Sequence, residues 1–328
     1  LRKLLIVSNV FTEEGEELQT LYDNASKEIG KIIQKLDRSL DFRPLIKGVK
    51  TDNVKYKSNT SKDEYYDMVN KAKEFIHSGD AFQIVLSQRF EVDFPGTSID
   101  LYRALRSVNP SPYMFCLKLG GDFSLVGCSP EVHVRAIDNK IEIRPIAGTR
   151  WRGATVAEDN ALAEELLSDP KERAEHIMLV DLARNDLSRN GNDVKVEKDR
   201  EIQFYSHVIH LVSKVTGIKK NGSSTFQIAA DTFPAGTLTG APKHRAMQLI
   251  DEYEACNRSF YGGAIGFMDF EGNFNHAIII RSFLSKNYNL HFQAGAGIVS
   301  KSNPETELKE INNKLGALNS ALLIAEEI

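Results

Sequence analysis

Cysteine, tryptophan and long apolar runs are all scarce in this sequence of 328 residues. It contains one tryptophan and three cysteines, Cys116, Cys128 and Cys256. An odd number of widely spaced cysteines without a C-x-x-C pair argues against a disulfide framework or a zinc site, and favours a reducing cytoplasm. No apolar run approaches the ~20 residues of a membrane-spanning helix, and no signal peptide is recognisable. The sequence therefore predicts no membrane partner.

The sequence also lacks a strong excess of charge of either sign. It contains 41 lysines and arginines and 45 aspartates and glutamates, which gives a formal net charge of -4. A nucleic-acid-binding surface needs a clustered basic excess, so nucleic acid is not an expected partner. With 41% hydrophobic residues, the composition is that of a globular protein with a substantial core.

Strand-like segments joined by tight turns predict antiparallel sheets. Hairpins are expected for residues 113–119 with 123–127, for 132–137 with 141–146, and for 261–269 with 275–285. Helices between these groups are expected to begin at a capping box from Ser61 to Glu64, at Asp169-Pro170 and at Asn303-Pro304. The pattern predicts an α+β fold, not a doubly wound parallel sheet.

Three regions are expected along the chain. Residues 1–45 contain a strand-like run and an amphipathic helix over about residues 13–36, and residues 46–60 form a polar, lysine-rich linker or mobile loop. Residues 61–328 carry the sharper signals. Because the chain begins at Leu1 within an apolar run, the first region is interpreted as the remnant of a longer N-terminal region.

Two pairs of glutamates stand at helical spacing, Glu172 with Glu175 and Glu307 with Glu310. Each pair lies on one face of a helix, and carboxylate oxygens are the ligands that Mg²⁺ prefers. The same spacing also fits a solvated helix face, and Glu172 fits a helix cap. On spacing alone a structural role is the favoured interpretation of each pair.

Three glycine-rich segments, at residues 146–153, 234–243 and 293–297, fit the backbone of an anion-binding site. With Lys243 and Arg281 they would suit a dianionic small molecule, and none of them is a P-loop. His207 and His210 lie on opposite faces of a strand-like run, so they are not expected to share a metal. One of them could act as a base, although on the residues alone a buried structural role is the favoured interpretation for each.

Several sequence blocks occur in a fixed order along the chain. They are GDAFQIVLSQR (79–89), NPSPYMF (109–115), GCSPE (127–131), RPIAGTR (144–150) and DPKERAEHIMLVDLARNDLSR (169–189), followed by HVIHLVSKV, FPAGTLTGAPKHRAMQLID, FYGGAIGF, IIIRS, QAGAGIV and ELKEINNK. From about Ser61 to the C-terminus they resemble the chorismate-binding catalytic region of anthranilate synthase component I. The resemblance implies two large antiparallel sheets packed together with helices outside.

The resemblance also implies residue roles. Glu175 and Glu310 match magnesium ligands, with Glu172 and Glu307 as acidic neighbours. Glu131 matches the acid that protonates the departing ring hydroxyl, and His210 matches the histidine of the later pyruvate elimination, whereas His207 stays structural. Arg281 matches the clamp on the enolpyruvyl carboxylate. The other implied substrate contacts are Gly148, Thr149, Thr237, Tyr261, Gly295 and Gly297.

Two positions separate the possible reactions. Gln83 stands where the water-adding relatives carry a lysine base, and Ala147 stands where the para-aminating relatives carry a nucleophilic lysine. The resemblance therefore implies ortho-amination, the Mg²⁺-dependent conversion of chorismate and ammonia to anthranilate and pyruvate in tryptophan biosynthesis. Aminodeoxychorismate synthase component I is the alternative, ahead of isochorismate synthase. A catalytically silent chorismate- or tryptophan-binding regulator would have no reason to keep the acid and both metal ligands.

Two further partners are implied. No glutaminase motif is recognisable, so ammonia is expected from a separate glutamine amidotransferase subunit. Asn109, Pro110, Tyr113 and Met114 match part of the family's tryptophan feedback site.

Overall fold

The computed structural model describes residues 3–13, 15–38, 55–205 and 208–326. The chain divides into two compact units, Leu1–Pro44 and Leu45–Ile328. In the first unit helix α1 spans Leu18–Leu36, five residues later than the sequence predicts, and buries none of its residues. The strand-like run at residues 4–11 forms no strand, because a strand requires a backbone partner and no described segment pairs with it. No helix in the described ranges is long and apolar enough to span a membrane.

The second unit combines helices with many short strands. Its helices are α2 (Lys62–His77), α3 (Ser98–Val108), α4 (Val156–Ser168), α5 (Pro170–Asn190), α6 (Thr225–Thr232), α7 (Lys243–Tyr253) and α8 (Pro304–Glu326), with a 3-10 turn at Gly236–Leu238. Its strands are β1 (Lys57–Ser58), β2 (Gln83–Asp93), β3 (Tyr113–Lys118), β4 (Ser124–Ser129), β5 (Val132–Ile137), β6 (Lys140–Ile143), β7 (Ile146–Trp151), β8 (Gly191–Phe204), β9 (Val208–Lys219), β10 (Gly240–Ala241), β11 (Ala264–Met268), β12 (Phe274–Ile278), β13 (Ser282–Lys286) and β14 (Asn289–Ile298).

The described strands form two seven-stranded sheets in which every pair is antiparallel. The first has the order β1-β2-β14-β13-β4-β3, with β10 also paired to β2. The second has the order β11-β12-β5-β6-β9-β7, with β8 also paired to β9. The α+β prediction with two large antiparallel sheets is confirmed.

Helices cover the sheets and close their apolar faces. In the largest core cluster α2, α3 and α8 pack on the first sheet, where Tyr65, Leu101 and Leu315 meet Phe283 and Phe292. In the second cluster the α5 residues Val180 and Leu187 pack on β5, β6 and β9. These contacts fix α8 against the first sheet and α5 against the second, which matters because both helices carry candidate site residues.

The predicted helix starts have the expected caps. Ser61 and Glu64 form a complete capping box at α2. The Asp169 side chain accepts hydrogen bonds from the backbone nitrogens of Lys171 and Glu172, with Pro170 as the first residue of α5. Capping satisfies backbone donors that a helix N-terminus leaves free, so the sequence defines where α5 and its glutamates begin.

One predicted strand is wrong. Residues 275–285 were expected to form one strand, but the chain passes from β12 in the second sheet to β13 in the first. At the crossing Arg281 has a φ of 50°, a left-handed conformation outside the extended region of a regular strand. The break places Arg281 at the junction of the two sheets.

Candidate active site

One cavity of about 280 Å³ brings together most of the predicted site residues. Its walls come from strands of both sheets and from α5 and α8. The predicted residues that line it are Glu131, Gly148, Thr149, Glu175, His210, Thr237, Tyr261, Arg281, Gly295, Gly297, Glu307 and Glu310. Residues far apart in the sequence therefore share one concave, polar site, which is the usual form of a small-molecule site.

Glu131 is a buried carboxylic acid in this cavity. It lies between β4 and β5 with 9% of its surface exposed, and its carbonyl accepts a hydrogen bond from the nitrogen of Ile278. Burial raises the pKa of Glu131 to about 7, against the opposing effects of the Thr237 hydroxyl, Arg281 and Lys314. A substantial fraction of Glu131 is therefore protonated at neutral pH and can donate a proton.

His210 is held as a neutral base. Its Nδ1 lies 3.0 Å from the carbonyl oxygen of Gly148 and 3.1 Å from Oγ1 of Thr149. Because a carbonyl can only accept, Nδ1 carries the proton and Nε2 keeps its lone pair. Burial lowers the pKa of His210, which keeps the ring neutral near pH 7. Gly148 permits this contact, since its φ of 70° is strained for other residues.

Three buried polar atoms that line the cavity have no hydrogen-bond partner among the described residues. They are Oε1 of Gln83, Oε1 of Gln293 and Oγ1 of Thr237. Gln83 and Gln293 are 8% and 3% exposed. A Cβ on Gly297 would overlap the amide of Gln83, so glycine is required for that side chain to lie there. Buried polar atoms are rarely unpaired without a reason, and a polar ligand would pair with these.

An acidic cluster forms one end of the cavity. Glu175 comes from α5, and Glu307 and Glu310 come from α8. Burial raises the pKa of Glu175 to about 7, and repulsion from the neighbouring glutamates adds to this. Burial also raises the pKa of Glu307, and repulsion from Glu310 adds to this increase. Lys314 lies 2.7 Å from Glu310, and Lys171 lies 3.8 Å from Glu175, so two cations partly offset the repulsion.

The donor chemistry of this cluster fits a magnesium ion. Carboxylate oxygens that repel one another are stabilised by a hard cation. Among the residues that the structure describes, no three acidic, histidine or cysteine side chains converge as a ready ligand set. A magnesium ion would therefore be held by a pair of glutamates, with Glu175 and Glu310 as the candidates, and would keep other oxygen ligands, as Mg²⁺ commonly does.

Glu172 does not line this cavity. Its carboxylate lies 3.1 Å from the Arg150 guanidinium, which also binds Glu165 and Asp169 at 3.1 and 2.9 Å. Arg150 thereby ties β7 to the N-terminus of α5. Of the two predicted acidic neighbours, the structure brings only Glu307 to the cavity.

Lys243 was predicted to bind substrate, but the structure does not bring it to the cavity. Its ammonium group lies 2.7 Å from Asp186 and donates a hydrogen bond to the carbonyl oxygen of Thr232. Both side chains of the ion pair are largely buried. Because α7 begins at Lys243 beside α5, the lysine joins two helices instead of facing the glycine loops.

We expect Lys243→Met to lower stability without weakening substrate binding. The change leaves Asp186 buried without its cation, which costs about 3–5 kcal/mol of unfolding free energy. Urea denaturation measures this loss, and a Lys243→Arg variant that keeps the charge is the control. An increase of more than about tenfold in the KM for chorismate, with unchanged stability, would support the original prediction instead.

The predicted feedback residues lie outside the cavity lining. The amide of Asn109 contacts the sulfur of Cys128 at 3.4 Å, and the Tyr113 hydroxyl donates to Asn275 at 2.9 Å. Met114 packs on the largest core cluster. Pro110 follows the end of α3. Tryptophan binding there stays a prediction, and His207 lies outside the described residues.

Among the polar cavity residues, Lys171, Gln293 and Lys314 were not singled out from the sequence as site residues. Gln293 begins the QAGAG segment, and Lys314 stands four residues after Glu310, where helical spacing places it on the same face. That spacing was the signal available for Lys314. Its ammonium also donates to the carbonyl oxygen of Gly295 at 2.7 Å, and so connects α8 to the glycine strand β14.

Comparison with known proteins identifies relatives that are similar in sequence and in fold. The anthranilate synthase component 1 of Aquifex aeolicus (strain VF5) is 46% identical over 328 residues, which cover 99% of this chain and 66% of that protein. The crystal structure of anthranilate synthase component I from Streptococcus pneumoniae TIGR4 matches with a TM-score of 0.81 and 37% identity, over 90% of this chain and 66% of that one. The chain thus spans just under two thirds of the length of these relatives.

The fold of this chain is also similar to that of a protein named for a different reaction. MenF, the menaquinone-specific isochorismate synthase from Escherichia coli, matches with a TM-score of 0.78 at 22% identity, over 91% of this chain and 69% of that one. A likeness at this identity shows the fold alone. The model of the family described as chorismate binding enzyme matches residues 3–320. The chain belongs to the chorismate binding enzyme family.

Proposed function

We propose that the full-length protein converts chorismate and ammonia to anthranilate and pyruvate in a magnesium-dependent reaction, the first step of tryptophan biosynthesis. Relatives that are 43–48% identical to this chain are named anthranilate synthase component 1, which supports this reaction. The observation that carries the proposal is the shared cavity, whose lining includes the protonatable Glu131, Arg281 and an acidic cluster that suits magnesium.

The two carboxylates of chorismate would bind at different ends of the cavity. Arg281 offers a planar guanidinium that can clamp the enolpyruvyl carboxylate through two hydrogen bonds. When bound by Glu175 and Glu310, magnesium would neutralise the ring carboxylate. The unpaired oxygens of Gln83, Gln293 and Thr237 can accept hydrogen bonds from ring substituents, and Thr237 can also donate. This arrangement would orient the ring between Glu131 and His210.

Two proton transfers by residues of this chain would drive the chemistry. As ammonia adds to the ring, the carboxyl of Glu131 gives its proton to the departing hydroxyl, which leaves as water. Nε2 of His210 then accepts the ring proton while the ring C–O bond to the enolpyruvyl group breaks, which makes the ring aromatic. The group leaves as enolpyruvate, which takes up a proton at its methylene carbon to become pyruvate. A neutral imidazole with a free Nε2 is the form that this second step requires.

Amination at the ortho position is favoured by two cavity residues. Gln83 and Ala147 both line the cavity, so neither position supplies a lysine base or nucleophile. The lysines that do line it, Lys171 and Lys314, are close to Glu175 and Glu310. Ammonia would come from a glutamine amidotransferase subunit, as the component 1 name of the relatives implies for them, in a reducing cytoplasm.

The test uses the full-length protein with chorismate, Mg²⁺ and excess ammonium at mildly alkaline pH. We expect anthranilate by fluorescence and equal amounts of pyruvate, with loss of both on adding a chelator and recovery on restoring Mg²⁺. Accumulation of 4-amino-4-deoxychorismate would mean para-amination, and isochorismate would mean that water is the nucleophile. Either product, identified by chromatography, would contradict the proposal.

A further inference from the structure

A second, smaller cavity adjoins the active-site cavity behind Glu131. Its volume of about 30 Å³ exceeds the ~10–15 Å³ that one water molecule requires. Glu131, Leu179 and Thr237 line both cavities, so they form the wall between them. We call this space the back chamber and define it by its polar lining residues Glu131, His133, Arg144, Asp186, Thr232 and Thr237. The Arg144 guanidinium forms an ion pair with Glu142 at 3.0 Å.

His133 is an unpaired polar side chain in the wall of the back chamber. It is 3% exposed, and neither of its ring nitrogens has a partner at good hydrogen-bond geometry among the described residues. Burial lowers the pKa of His133 to about 4, against the opposing effect of a backbone contact to Thr232, with His276 and Lys243 as the nearby basic groups. The ring is therefore neutral and offers one donor and one acceptor. Oγ1 of Thr237, in the same wall, also has no partner at good hydrogen-bond geometry, although the hydroxyl is close enough to Glu131 to lower the pKa of that carboxyl.

Ordered water commonly satisfies buried groups of this kind. A buried water typically makes about three hydrogen bonds and requires a polar site of sufficient volume. The back chamber meets both conditions, because it has the volume of a water and is lined by His133 and Thr237, which lack well-placed partners, together with Glu131. A water that bonds to these groups would remove the cost of leaving them unpaired.

Asp186 provides a second carboxyl on the back chamber. It is 6% exposed, and one of its oxygens accepts a hydrogen bond from Lys243 at 2.7 Å. Burial raises the pKa of Asp186 above its ordinary value, against the opposing charges of Lys243 and Arg189. Two carboxyls whose pKa values are raised by burial thus line one small space, one of them in the active site and the other outside its lining.

We propose that water in the back chamber carries protons from Asp186 to Glu131, and that His133 is the positioning residue that holds this water. The role rests on the proposed function, in which Glu131 becomes a carboxylate once per turnover. Asp186 accepts a proton from solvent and gives it to the chamber water, which passes a proton from its other side to Glu131. Asp186 returns to its anionic form beside Lys243, and the water is unchanged.

This route would matter because substrate covers the other side of Glu131. Arg281 and Lys314 are the cations that face Glu131 from the active-site cavity, and Tyr205 and Tyr261 are the other titratable groups that sense its charge. None of these needs to give up a proton if the back chamber supplies one. Glu131 can then be reprotonated while product still occupies the active site.

The water is tested first, by a high-resolution crystal structure of the full-length protein. We expect a water in the back chamber within hydrogen-bond distance of His133 and of Glu131. In His133→Leu the water should be lost, whereas in His133→Asn, which keeps a donor and an acceptor, it should remain. A dry chamber in the wild-type protein would overturn the proposal, and this result does not depend on which reaction the enzyme performs.

The proton route is tested by comparing the first turnover with the steady state, just below pH 7, where most of Glu131 starts protonated. In His133→Leu we expect a first turnover within about twofold of wild type and a steady-state rate about tenfold lower, with a larger solvent deuterium isotope effect. His133→Asn should restore the steady state. An equal loss in both phases, or an unchanged steady state, would overturn the route. Absence of anthranilate with wild-type protein would instead refute the proposed function.

Discussion

Glu131→Gln is expected to reduce the rate of anthranilate formation at least about 100-fold, with chorismate still bound. A positioned general acid contributes about 10²–10⁴-fold, and glutamine has nearly the same shape but no proton to give to the leaving hydroxyl. Steady-state kinetics with saturating ammonium measures the loss, which should fall on kcat more than on KM. A variant with more than a third of the wild-type rate would remove Glu131 from the mechanism.

The same substitution should make the protein more stable at alkaline pH. The pKa of Glu131 is about 7 in the folded protein, whereas an ordinary solvent-exposed glutamate has a pKa of 4.5. Because the folded value is the higher one, the cost of the buried charge develops as the pH rises from 4.5 to 7. By linkage, the free energy of unfolding of Glu131→Gln should exceed that of wild type by about 3 kcal/mol at pH 8 and match it near pH 4.

Glu142 offers a matched control for this stability effect. It is 4% exposed, like Glu131, but it forms ion pairs with Arg135, Arg144 and Lys214. Glu142→Gln removes a paired charge, so it should lower the free energy of unfolding and leave kcat within about twofold of wild type. If urea denaturation at pH 8 shows that Glu131→Gln raises the free energy of unfolding and Glu142→Gln lowers it, the charge of Glu131 is not sufficiently compensated in the folded protein. Destabilisation by both would contradict the expected cost of a buried acid.

Glu310→Gln is expected to abolish magnesium-dependent turnover in a folded protein. Loss of a carboxylate that supports a metal site costs about 10–100-fold even when the group is one step removed from the ion, so a direct ligand should cost at least about 100-fold. Metal binding is followed separately by calorimetry, where the affinity for Mg²⁺ should fall in parallel. The side chain of Glu310 is 47% exposed, so the substitution should change the melting temperature little.

Glu305→Gln is the control for that variant. Glu305 lies in the first turn of the same helix, is exposed, and does not line the cavity. The Glu305→Gln substitution removes the same charge from α8 but leaves the cavity intact. We therefore expect activity and Mg²⁺ affinity within about twofold of wild type. If Glu310→Gln behaved like Glu305→Gln, the metal assignment would be wrong and the glutamates of α8 would be a solvated helix face.

Local rules predicted several elements of the second unit. The capping residues at Ser61 and Asp169 begin α2 and α5 as expected. The hairpin of β3 and β4 follows from Gly120 and Gly121, which both have positive φ values. These features depend on neighbours in the chain, and so the sequence is sufficient for them.

Features that depend on distant partners were harder to predict. Strand β8 is rich in charged and mostly exposed residues, and it is a strand because it pairs with β9 through three irregularities in register. The ion pair of Lys243 with Asp186 joins residues 57 positions apart, and no local pattern indicates it. The resemblance assigned most of the cavity residues, whereas the sequence pattern alone favoured structural roles for the glutamates and His210.

The position of Arg281 between β12 and β13 has a consequence for how the enzyme is made. The cavity takes walls from both sheets, with residues as far apart in the chain as Gln83 and Leu318. Contacts of such long sequence separation form late, because chain entropy must be lost before they contribute energy. A partly folded chain would therefore have no site at all, and a newly made protein would gain affinity for its substrate only as the two sheets close together.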